Sequence, residues 1–235
     1  MIDDDTPLAA RDIYKLGLQK KVNLLSGTKM TGVNQSESNL ESDVAIAAEI
    51  DPRVTHIKFQ PLTFDLNTGK RYATKKDLHQ ECGNSSYKAR PYTPDFLLTL
   101  ASGKEIYVEA KHTRWLKEND DYFQKIETVR TLQYSVILVT EALLSEGLVR
   151  NLRQIKPRVG KARCPSAASR VAEILASGPV AFKDLLNRAD ARQGDLFDAI
   201  LAGDMICDLA SKAFSPKSLM RAGNGVTHHL EILPL

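Results

Sequence analysis

Three charged residues could do chemistry together, because they lie at the ends of two neighbouring apolar segments. Asp95 follows Pro94 just before one segment, and Glu109 and Lys111 close the next one as Glu-Ala-Lys. Alternate residues of a β-strand lie on the same face, so Glu109 and Lys111 share one face of a predicted strand. Two carboxylates and an ammonium in one place could hold a divalent cation and activate a water molecule.

The turn between the two segments decides whether Asp95 lies on the face of Glu109. A two-residue turn would place the two acids on opposite faces of the hairpin. A three-residue loop, residues 101–103, needs a left-handed residue in its last position, and Gly103 supplies it. Counting back from that loop, Asp95 lies directly opposite Glu109, with the Cβ atoms about 5 Å apart. Gly103 therefore favours convergence of the two carboxylates.

Paired carboxylates at that distance repel each other, which raises one pKa unless a cation lies between them. Magnesium binds one or two carboxylates together with waters and phosphate oxygens, so we expect Mg²⁺, with Mn²⁺ as a substitute. Lys111 would polarise or deprotonate the attacking water, or stabilise charge on a phosphate, and phosphodiester hydrolysis uses all three groups. The alternative interpretation is a surface hairpin with a cross-strand salt bridge.

The composition is that of an ordinary globular protein. The chain has 235 residues, of which 43% are hydrophobic and 26% are charged, and this length suggests two domains. Its apolar runs are far shorter than a membrane span and its first residues are acidic, so we expect a cytoplasmic protein. The cysteines are isolated from one another, which argues against a zinc site or a disulfide framework.

The pattern along the chain predicts an α/β domain with a mixed sheet flanked by helices, residues 36–160, after an N-terminal arm, residues 1–35. The arm includes a short predicted helix in LAARDIYKLGLQKK. Another helix is predicted from near Ser36, because SNLE has the Ser-x-x-Glu capping pattern. The remaining elements are one strand over 55–66, an irregular loop over 69–90, the hairpin, a helix over 115–133, a buried strand over 134–140 and a helix over 141–155.

Residues 161–235 have a different pattern, with three short predicted helices followed by a possible β-wing. This order is the winged-helix arrangement, which in many proteins reads DNA. However, residues 165–235 hold seven Lys and Arg against eight Asp and Glu. The third helix would enter the DNA groove, and phosphates would repel its Asp195 and Asp198. We therefore expect this domain to bind protein.

A basic segment, RNLRQIKPRVGKAR, joins the two predicted domains and contains no acidic residue. Two interpretations remain open for it. One is a solvated linker, and the other is a strap that contacts DNA phosphates. Its basic residues are Arg150, Arg153, Lys156, Arg158, Lys161 and Arg163.

These motifs resemble a family of nucleases. Pro94-Asp95, thirteen further residues and then Glu109-Ala110-Lys111 form the PD-(D/E)xK pattern of the restriction-endonuclease-like fold. The sequences SESNLESD, IDPRVTHIKFQP, YTPDFLL and YVEAK are similar to the amino-terminal nuclease domain of TnsA-type endonucleases, over about residues 36–155. TnsA-type endonucleases are subunits of heteromeric transposases, and that family also carries a winged-helix carboxy-terminal domain.

The resemblance implies roles for individual residues. Asp95 and Glu109 would be metal ligands, and Lys111 would be the catalytic lysine. An acidic residue of the first helix would add a ligand to the metal or to water. Glu41 is the better match, and Glu37, one turn earlier, remains the alternative. Glu41 also has a competing role in the helix cap.

The resemblance also implies that Gln60, in the sequence Phe-Gln-Pro, lies near the site. The alternative is a glutamine within a strand that only pairs through its backbone. The resemblance further implies a Mg²⁺-dependent endodeoxyribonuclease that cuts the 5′ strands at transposon ends. Its expected partners are double-stranded DNA, a transposase subunit and an ATP-dependent regulator, without a membrane, in a bacterial-type cytoplasm at the nucleoid. The alternatives are a stand-alone restriction or repair nuclease and a non-catalytic DNA-binding assembly protein.

Overall fold

The computed structural model describes residues 23–83, 86–119 and 121–235. The helix expected in the N-terminal arm lies outside these residues. The chain divides into two compact units. The first unit holds the described residues up to Ala45, Arg53–Leu143 and the last two residues, and the second holds Ile46–Pro52 and Leu144–Leu233. The domain boundaries expected after residues 35 and 160 stay predictions.

Short strands and helices alternate through the first part of the chain. The strands are β1 (Asn23–Leu25), β2 (Asn34–Ser36), β3 (Val54–Phe59), β4 (Thr63–Asp65), β5 (Arg71–Tyr72), β6 (Pro91–Tyr92), β7 (Phe96–Leu100), β8 (Glu105–Ala110) and β9 (Val136–Val139). The helices are α1 (Asn39–Ile50), α2 (Lys75–Cys82), α3 (Thr113–Glu118) and α4 (Asp121–Thr131).

The central sheet has the strand order β3-β7-β8-β9. Strands β3, β7 and β8 are antiparallel neighbours, whereas β9 runs parallel to β8. A parallel pair requires a crossover connection, and α3 and α4 lie in it. Phe64, Tyr92, Tyr107 and the α4 residue Ile126 belong to one buried hydrophobic cluster of this unit. The predicted α/β fold with a mixed sheet and flanking helices is therefore confirmed.

The hairpin between β7 and β8 has the predicted three-residue loop. The Leu100 N–H donates to the Lys104 carbonyl at 2.9 Å. Gly103 adopts a φ of 81°, the left-handed conformation that this loop requires. The paired residues that follow are in the register that places Asp95 opposite Glu109.

Two predicted elements are wrong because the chain breaks inside them. The strand expected over 55–66 is two strands, β3 and β4, since Gln60 turns the backbone with a φ of 40° before Pro61. The helix expected over 115–133 is likewise two helices, α3 and α4, and Asn119 after α3 has non-helical backbone angles. Hydrophobic periodicity does not reveal breaks of this kind, because they depend on local backbone geometry.

The irregular loop expected over 69–90 contains regular structure, so that prediction is also wrong. Strand β5 pairs with β4 in a small sheet of order β5-β4-β6. Helix α2 follows, with a capping box formed by Thr74 and Asp77. Its sequence, KKDLHQEC, is polar and buries only Leu78 among its residues, which explains why no apolar pattern revealed it.

Serine caps set the starts of two helices. Helix α1 begins at Asn39, and the Glu41 N–H donates to the Ser38 hydroxyl at 3.1 Å. The helix expected over 141–155 begins later, at Glu146, because Ser145 accepts a hydrogen bond from the Leu148 N–H. Both positions satisfy N–H groups that the first turn of a helix leaves free.

The second part of the chain contains four helices and three short strands among its described residues. The helices are α5 (Glu146–Ile155), α6 (Pro165–Ala176), α7 (Phe182–Arg188) and α8 (Gln193–Leu201), and the strands are β10 (Val180–Ala181), β11 (Met205–Ile206) and β12 (Leu219–Ala222). The strands form an antiparallel sheet of order β10-β12-β11. Phe182, Phe197 and Phe214 stack on one another. The three short helices expected after the basic segment are confirmed as α6, α7 and α8.

The two aspartates of α8 do not both face solvent. Asp198 is 4% exposed and accepts two hydrogen bonds from Arg158, at 2.8 and 2.5 Å. Asp195 accepts a hydrogen bond from the Arg192 N–H at 2.8 Å, at the start of its own helix. The assumption that both would confront DNA phosphates is therefore wrong, because one is buried in an ion pair and the other caps α8.

None of the helices in the described part of the chain is long and apolar enough to cross a membrane.

Candidate active site

The three charged residues of the hairpin meet at one end of the central sheet. The Nζ atom of Lys111 lies 3.1 Å from Oδ2 of Asp95 and 2.5 Å from Oε1 of Glu109. Asp95 is 4% exposed, Glu109 is 1% exposed and the Lys111 side chain is 23% exposed. The alternative of a surface hairpin is therefore wrong, because both acids are buried, but the cross-strand salt bridge that it included is present between Lys111 and Asp95.

Asp95 is fixed through its main chain as well as its side chain. The Ala110 N–H donates to Oδ2 at 2.9 Å, and the Lys111 ammonium donates to the same oxygen. The Asp95 carbonyl accepts a hydrogen bond from the Gln60 N–H at 2.9 Å. Asp95 is thus held between β3 and the end of β8, and its Oδ1 atom accepts neither of the two side-chain hydrogen bonds.

Glu109 is held by two tyrosine hydroxyls that sequence reasoning missed. The Tyr92 hydroxyl donates to Oε2 at 3.0 Å, and the Tyr122 hydroxyl donates to Oε1. A buried carboxylate requires donors of this kind. The sequence Tyr-Thr-Pro-Asp places Tyr92 three residues before Asp95 and could have identified it. No sequence signal identified Tyr122, because its position depends on the break between α3 and α4.

Burial and mutual charge shift the pKa values in this cluster. Burial, followed by the negative charge of Asp95, raises the pKa of Glu109 to about 8, although Lys111 and Tyr122 act in the opposite direction. Burial lowers the pKa of Lys111, but the charges of Asp95 and Glu109 outweigh it and raise that pKa above its ordinary value. Lys111 therefore stays protonated at neutral pH. This state favours a role as a fixed positive charge, and the role of Lys111 towards the attacking water stays a prediction.

Glu41 lies near this cluster but is engaged at the start of α1. Its carboxylate accepts hydrogen bonds from the Glu37 N–H at 2.8 Å and from the Ser38 hydroxyl at 3.0 Å, so the capping role is confirmed. Glu41 is also 8% exposed, and burial followed by the charge of Asp95 raises its pKa. Glu41 is thus close enough to sense Asp95. The metal-ligand role of Glu41, or of Glu37, stays a prediction.

Gln60 lies at the end of β3, on the opposite side of Asp95 from β8. It is 5% exposed and has a left-handed backbone, with a φ of 40°. Its Oε1 atom is buried without a hydrogen-bond partner in the described part of the chain. The alternative prediction, a glutamine paired through its backbone, agrees with the hydrogen bond from the Gln60 N–H to Asp95. It does not explain why the side-chain oxygen is buried without a partner.

The residues present are compatible with a divalent cation. Asp95 and Glu109 both contact one ammonium group, so positive charge is favourable between them, and Mg²⁺ needs only one or two carboxylates. The unpartnered Gln60 oxygen is a further neutral donor. Within residues 23–83, 86–119 and 121–235, no group of three or more His, Cys, Asp or Glu is arranged to hold a metal ion. A cation at this site would therefore depend on few carboxylates and on neutral oxygens.

The basic segment is partly used inside the second unit. Residues 150–155 belong to α5, and Lys156–Arg158 form a short 3₁₀ helix. Arg153 and Lys161 are exposed. Three ion pairs engage the other arginines: Arg150 with Glu146, Arg158 with Asp198, and Arg163 with Asp204. The segment is therefore not a solvated linker along its whole length, and phosphate contact by its basic residues stays a prediction.

Comparisons with known proteins do not assign this chain to a family. No family model matches the chain, and no curated protein matches it either. The resemblance to TnsA-type endonucleases therefore rests on the motifs quoted above.

Proposed function

We propose that this chain is a metal-dependent DNA endonuclease that hydrolyses phosphodiester bonds. The observation that carries the proposal is the buried convergence of Asp95, Glu109 and Lys111. Burying two carboxylates beside each other is unfavourable, and groups whose pKa is shifted by burial together with a charged partner are characteristic of functional sites. A hairpin with a purely structural role would gain more from apolar residues at these positions.

Each residue of the site has a separate task in this proposal. Asp95 and Glu109 would hold Mg²⁺ or Mn²⁺, which when bound supplies a Lewis acid and lowers the pKa of a water molecule. Protonated Lys111 stabilises the negative charge that develops on the phosphate. The hydroxyls of Tyr92 and Tyr122 fix the orientation of the Glu109 carboxylate.

The finer assignment follows the sequence motifs. The mixed sheet that carries the site supports a restriction-endonuclease-like nuclease domain, and the order of α6, α7, α8 and the β10-β12-β11 sheet supports a winged-helix domain. The TnsA-like motifs support a subunit of a heteromeric transposase that cuts the 5′ strands at transposon ends. Its partners would be double-stranded DNA, a transposase subunit and an ATP-dependent regulator.

A stand-alone restriction or repair nuclease is a second candidate, which one observation favours. Such a nuclease must recognise DNA itself, and the sequence predicted that DNA would repel the two aspartates of α8. Because Asp198 is buried against Arg158 and Asp195 caps the helix, that repulsion is weaker than the sequence suggests. Helix α8 therefore remains a candidate for DNA contact.

Nicking of supercoiled plasmid with Mg²⁺ or Mn²⁺, by the full chain, tests the proposal. We expect Asp95→Asn and Lys111→Met to lower the nicking rate about a hundredfold or more, because each removes a charge from the reacting centre. Asp121→Asn and Lys104→Met are matched controls, since both residues are exposed, and they should nick at the wild-type rate.

Retention of metal-dependent nicking by both site variants would refute the site assignment. Circular dichroism verifies that each variant folds, and Lys111→Gln, which also removes the positive charge, replaces Lys111→Met if the latter does not fold. Sequence-specific cutting by the chain alone would favour the restriction or repair nuclease. Cutting that requires added transposase and regulator proteins would favour the transposase subunit.

A further inference from the structure

We infer that the side-chain amide oxygen of Gln60 is a further ligand of the cation that Asp95 and Glu109 would bind. This inference rests on the proposed function and names a donor that carries no charge. It concerns one atom, Oε1 of Gln60, and its contribution to metal affinity.

The main chain of Gln60 lies next to that of Asp95, at the end of the central sheet. Strand β3 pairs with β7 so that Phe59 lies opposite Phe96, and the Gln60 N–H continues this register by bonding to the Asp95 carbonyl at 2.9 Å. The β7–β8 register places Glu109 on the other side of Asp95. The main chain of Gln60 therefore lies next to Asp95, and Asp95 lies opposite Glu109, at the end of the sheet where Lys111 lies.

The side-chain oxygen of Gln60 is buried in an unusual state. Gln60 is 5% exposed, and its Oε1 atom is buried without a hydrogen-bond partner in the part of the chain that the structure describes. Nearly all buried polar groups in proteins are satisfied, and an exception indicates a missing water, ion or ligand. A buried carbonyl oxygen on the residue whose main chain pairs with Asp95 has the chemistry of a ligand for a hard cation.

The backbone of Gln60 has a left-handed conformation. Its φ of 40° is uncommon for a residue other than glycine, and the following Pro61 restricts this position further. Glycine would adopt this conformation without strain. Strain of this kind persists where the surrounding structure imposes it, most often at functional sites. Glutamine at this position is strained where glycine would not be, and it buries an oxygen without a partner. Both costs are offset only if a ligand binds that oxygen.

The charge of the site explains why a neutral donor is suitable. Asp95 and Glu109 are both buried acids that contact the same ammonium group, so they already repel each other. A third carboxylate at this position would add to that repulsion in the metal-free protein, although it would bind a cation more tightly. An amide oxygen completes the ligand set of a hard cation without further negative charge.

Binding of Mn²⁺ to the full chain without DNA, measured by isothermal titration calorimetry, tests the inference. Gln60→Met keeps the length of the side chain and removes the oxygen, so Mn²⁺ affinity should fall about tenfold. The same variant should raise the melting temperature of the metal-free protein, because it removes an unsatisfied buried oxygen. Gln60→Glu should strengthen Mn²⁺ binding severalfold, since it adds a charge to the same atom position.

Gln133→Met is the matched control for these variants. Gln133 also has a left-handed backbone, with a φ of 66°, but it is exposed in the turn after α4. This variant should change neither Mn²⁺ affinity nor the effect of Mn²⁺ on the melting temperature.

Unchanged Mn²⁺ affinity in Gln60→Met would overturn the inference. If Gln60→Met does not fold, Gln60→Glu decides instead, and affinity equal to or below wild type would overturn it. Asp95→Ala separates this failure from failure of the proposed function. Loss of Mn²⁺ binding in Asp95→Ala with unchanged binding in Gln60→Met would refute only the Gln60 ligand. Wild-type Mn²⁺ binding in Asp95→Ala would refute the metal site itself, and the inference with it.

Discussion

At the scale of single residues, Glu109 shows what is required to keep a carboxylate in the protein interior. It is 1% exposed, and the hydroxyls of Tyr92 and Tyr122 and the ammonium of Lys111 all contact it. Because each tyrosine binds a different oxygen, the plane of the carboxylate is fixed. The Glu109 carboxylate therefore faces Lys111 in one orientation, which is what a metal ligand or a precise ion pair needs.

The Tyr122→Phe variant removes one of these donors without removing packing volume. We expect the free energy of unfolding to fall by about 1–3 kcal/mol, because a buried acceptor loses its donor. Tyr134→Phe is the control, since the Tyr134 ring packs against the same cluster, and we expect a change below about 0.5 kcal/mol. Urea unfolding followed by the fluorescence of Trp115 measures both, because this single tryptophan lies 4.8 Å from the Tyr122 ring. Equal losses in the two variants would contradict the role of the Tyr122 hydroxyl.

The convergence of Asp95, Glu109 and Lys111 could be predicted from the sequence, because the register of a short hairpin follows from its loop. The contact of Tyr122 with Glu109 could not be predicted in the same way. Tyr122 reaches Glu109 from another element, across a distance in sequence that no local rule covers. The unpaired oxygen of Gln60 is also a property of tertiary packing, and only the family resemblance implied that this residue lies near the site.

At the scale of secondary-structure elements, the loop of the β7–β8 hairpin has the largest effect on the site. A change of one residue in the register would move Asp95 to the opposite face of the sheet. Gly103 prevents this by adopting the left-handed conformation that a three-residue loop requires. The breaks at Gln60 and Asn119 were not predictable, because they redirect the chain within segments whose apolar pattern is continuous.

Helix α3 depends on a cap supplied from the end of β9. Its own cap residue, His112, makes no side-chain hydrogen bond to the helix, and Glu141 instead accepts from the Thr113 hydroxyl and from the Thr113 N–H at 3.0 Å. The hydroxyl of Thr113, followed by its N–H, lowers the pKa of Glu141 to about 2 from an ordinary 4.5. A carboxylate whose folded-state pKa is lowered stabilises the protein above its ordinary pKa, and this stabilisation is lost as the pH falls towards the lowered value.

We therefore expect Glu141→Gln to be less stable than wild type at pH 6, with a difference that shrinks between about pH 4.5 and pH 2. Thermal or urea unfolding of both proteins across this range measures the difference. Glu118→Gln is the control, because Glu118 lies at the other end of α3 in an exposed pair with Arg114. Its difference from wild type should be small at every pH. A constant difference for Glu141→Gln over the whole range would contradict the pKa argument.

At the scale of the whole molecule, composition and packing divide the chain at different places. The sequence changes character near residue 160, where the basic segment ends, but the compact units divide between Leu143 and Leu144. Helix α5 belongs to the second unit through Asn151, which is fully buried and donates to the carbonyls of Leu209 and Lys212 at 2.9 and 2.8 Å. Composition could not reveal this, because the connection consists of buried contacts of α5, which include Asn151 and the apolar Leu152 and Ile155.

Charge counting failed for a related reason. A count of charged residues assumes that every charge is exposed. In the structure, Arg158 and Asp198 neutralise each other inside the second unit. The basic segment therefore offers fewer free charges to DNA than its composition suggests, and α8 is less repulsive to DNA than its two aspartates suggest. Repulsion between α8 and DNA is therefore a weaker reason to expect protein, and not DNA, as the partner of this unit.

The ion pair between Arg158 and Asp198 should contribute measurably to stability. Removing one partner of a fully buried pair costs about 3–5 kcal/mol, but Arg158 is 31% exposed, so solvent screening reduces the expected cost of Arg158→Ala to about 2 kcal/mol. Arg163→Ala is the control, because its pair with Asp204 is 41% and 33% exposed, and it should cost less than about 1 kcal/mol.

A double-mutant cycle separates this pair from simple loss of packing. The double variant Arg158→Ala with Asp198→Ala should be more stable than the sum of the two single losses predicts, because it leaves no buried charge without a partner. Hydrogen exchange of the α8 amides, which report on the helix that carries Asp198, measures each corner of the cycle. Additive losses would contradict the pairing, and would return Arg158 to the set of charges that are free to contact phosphate.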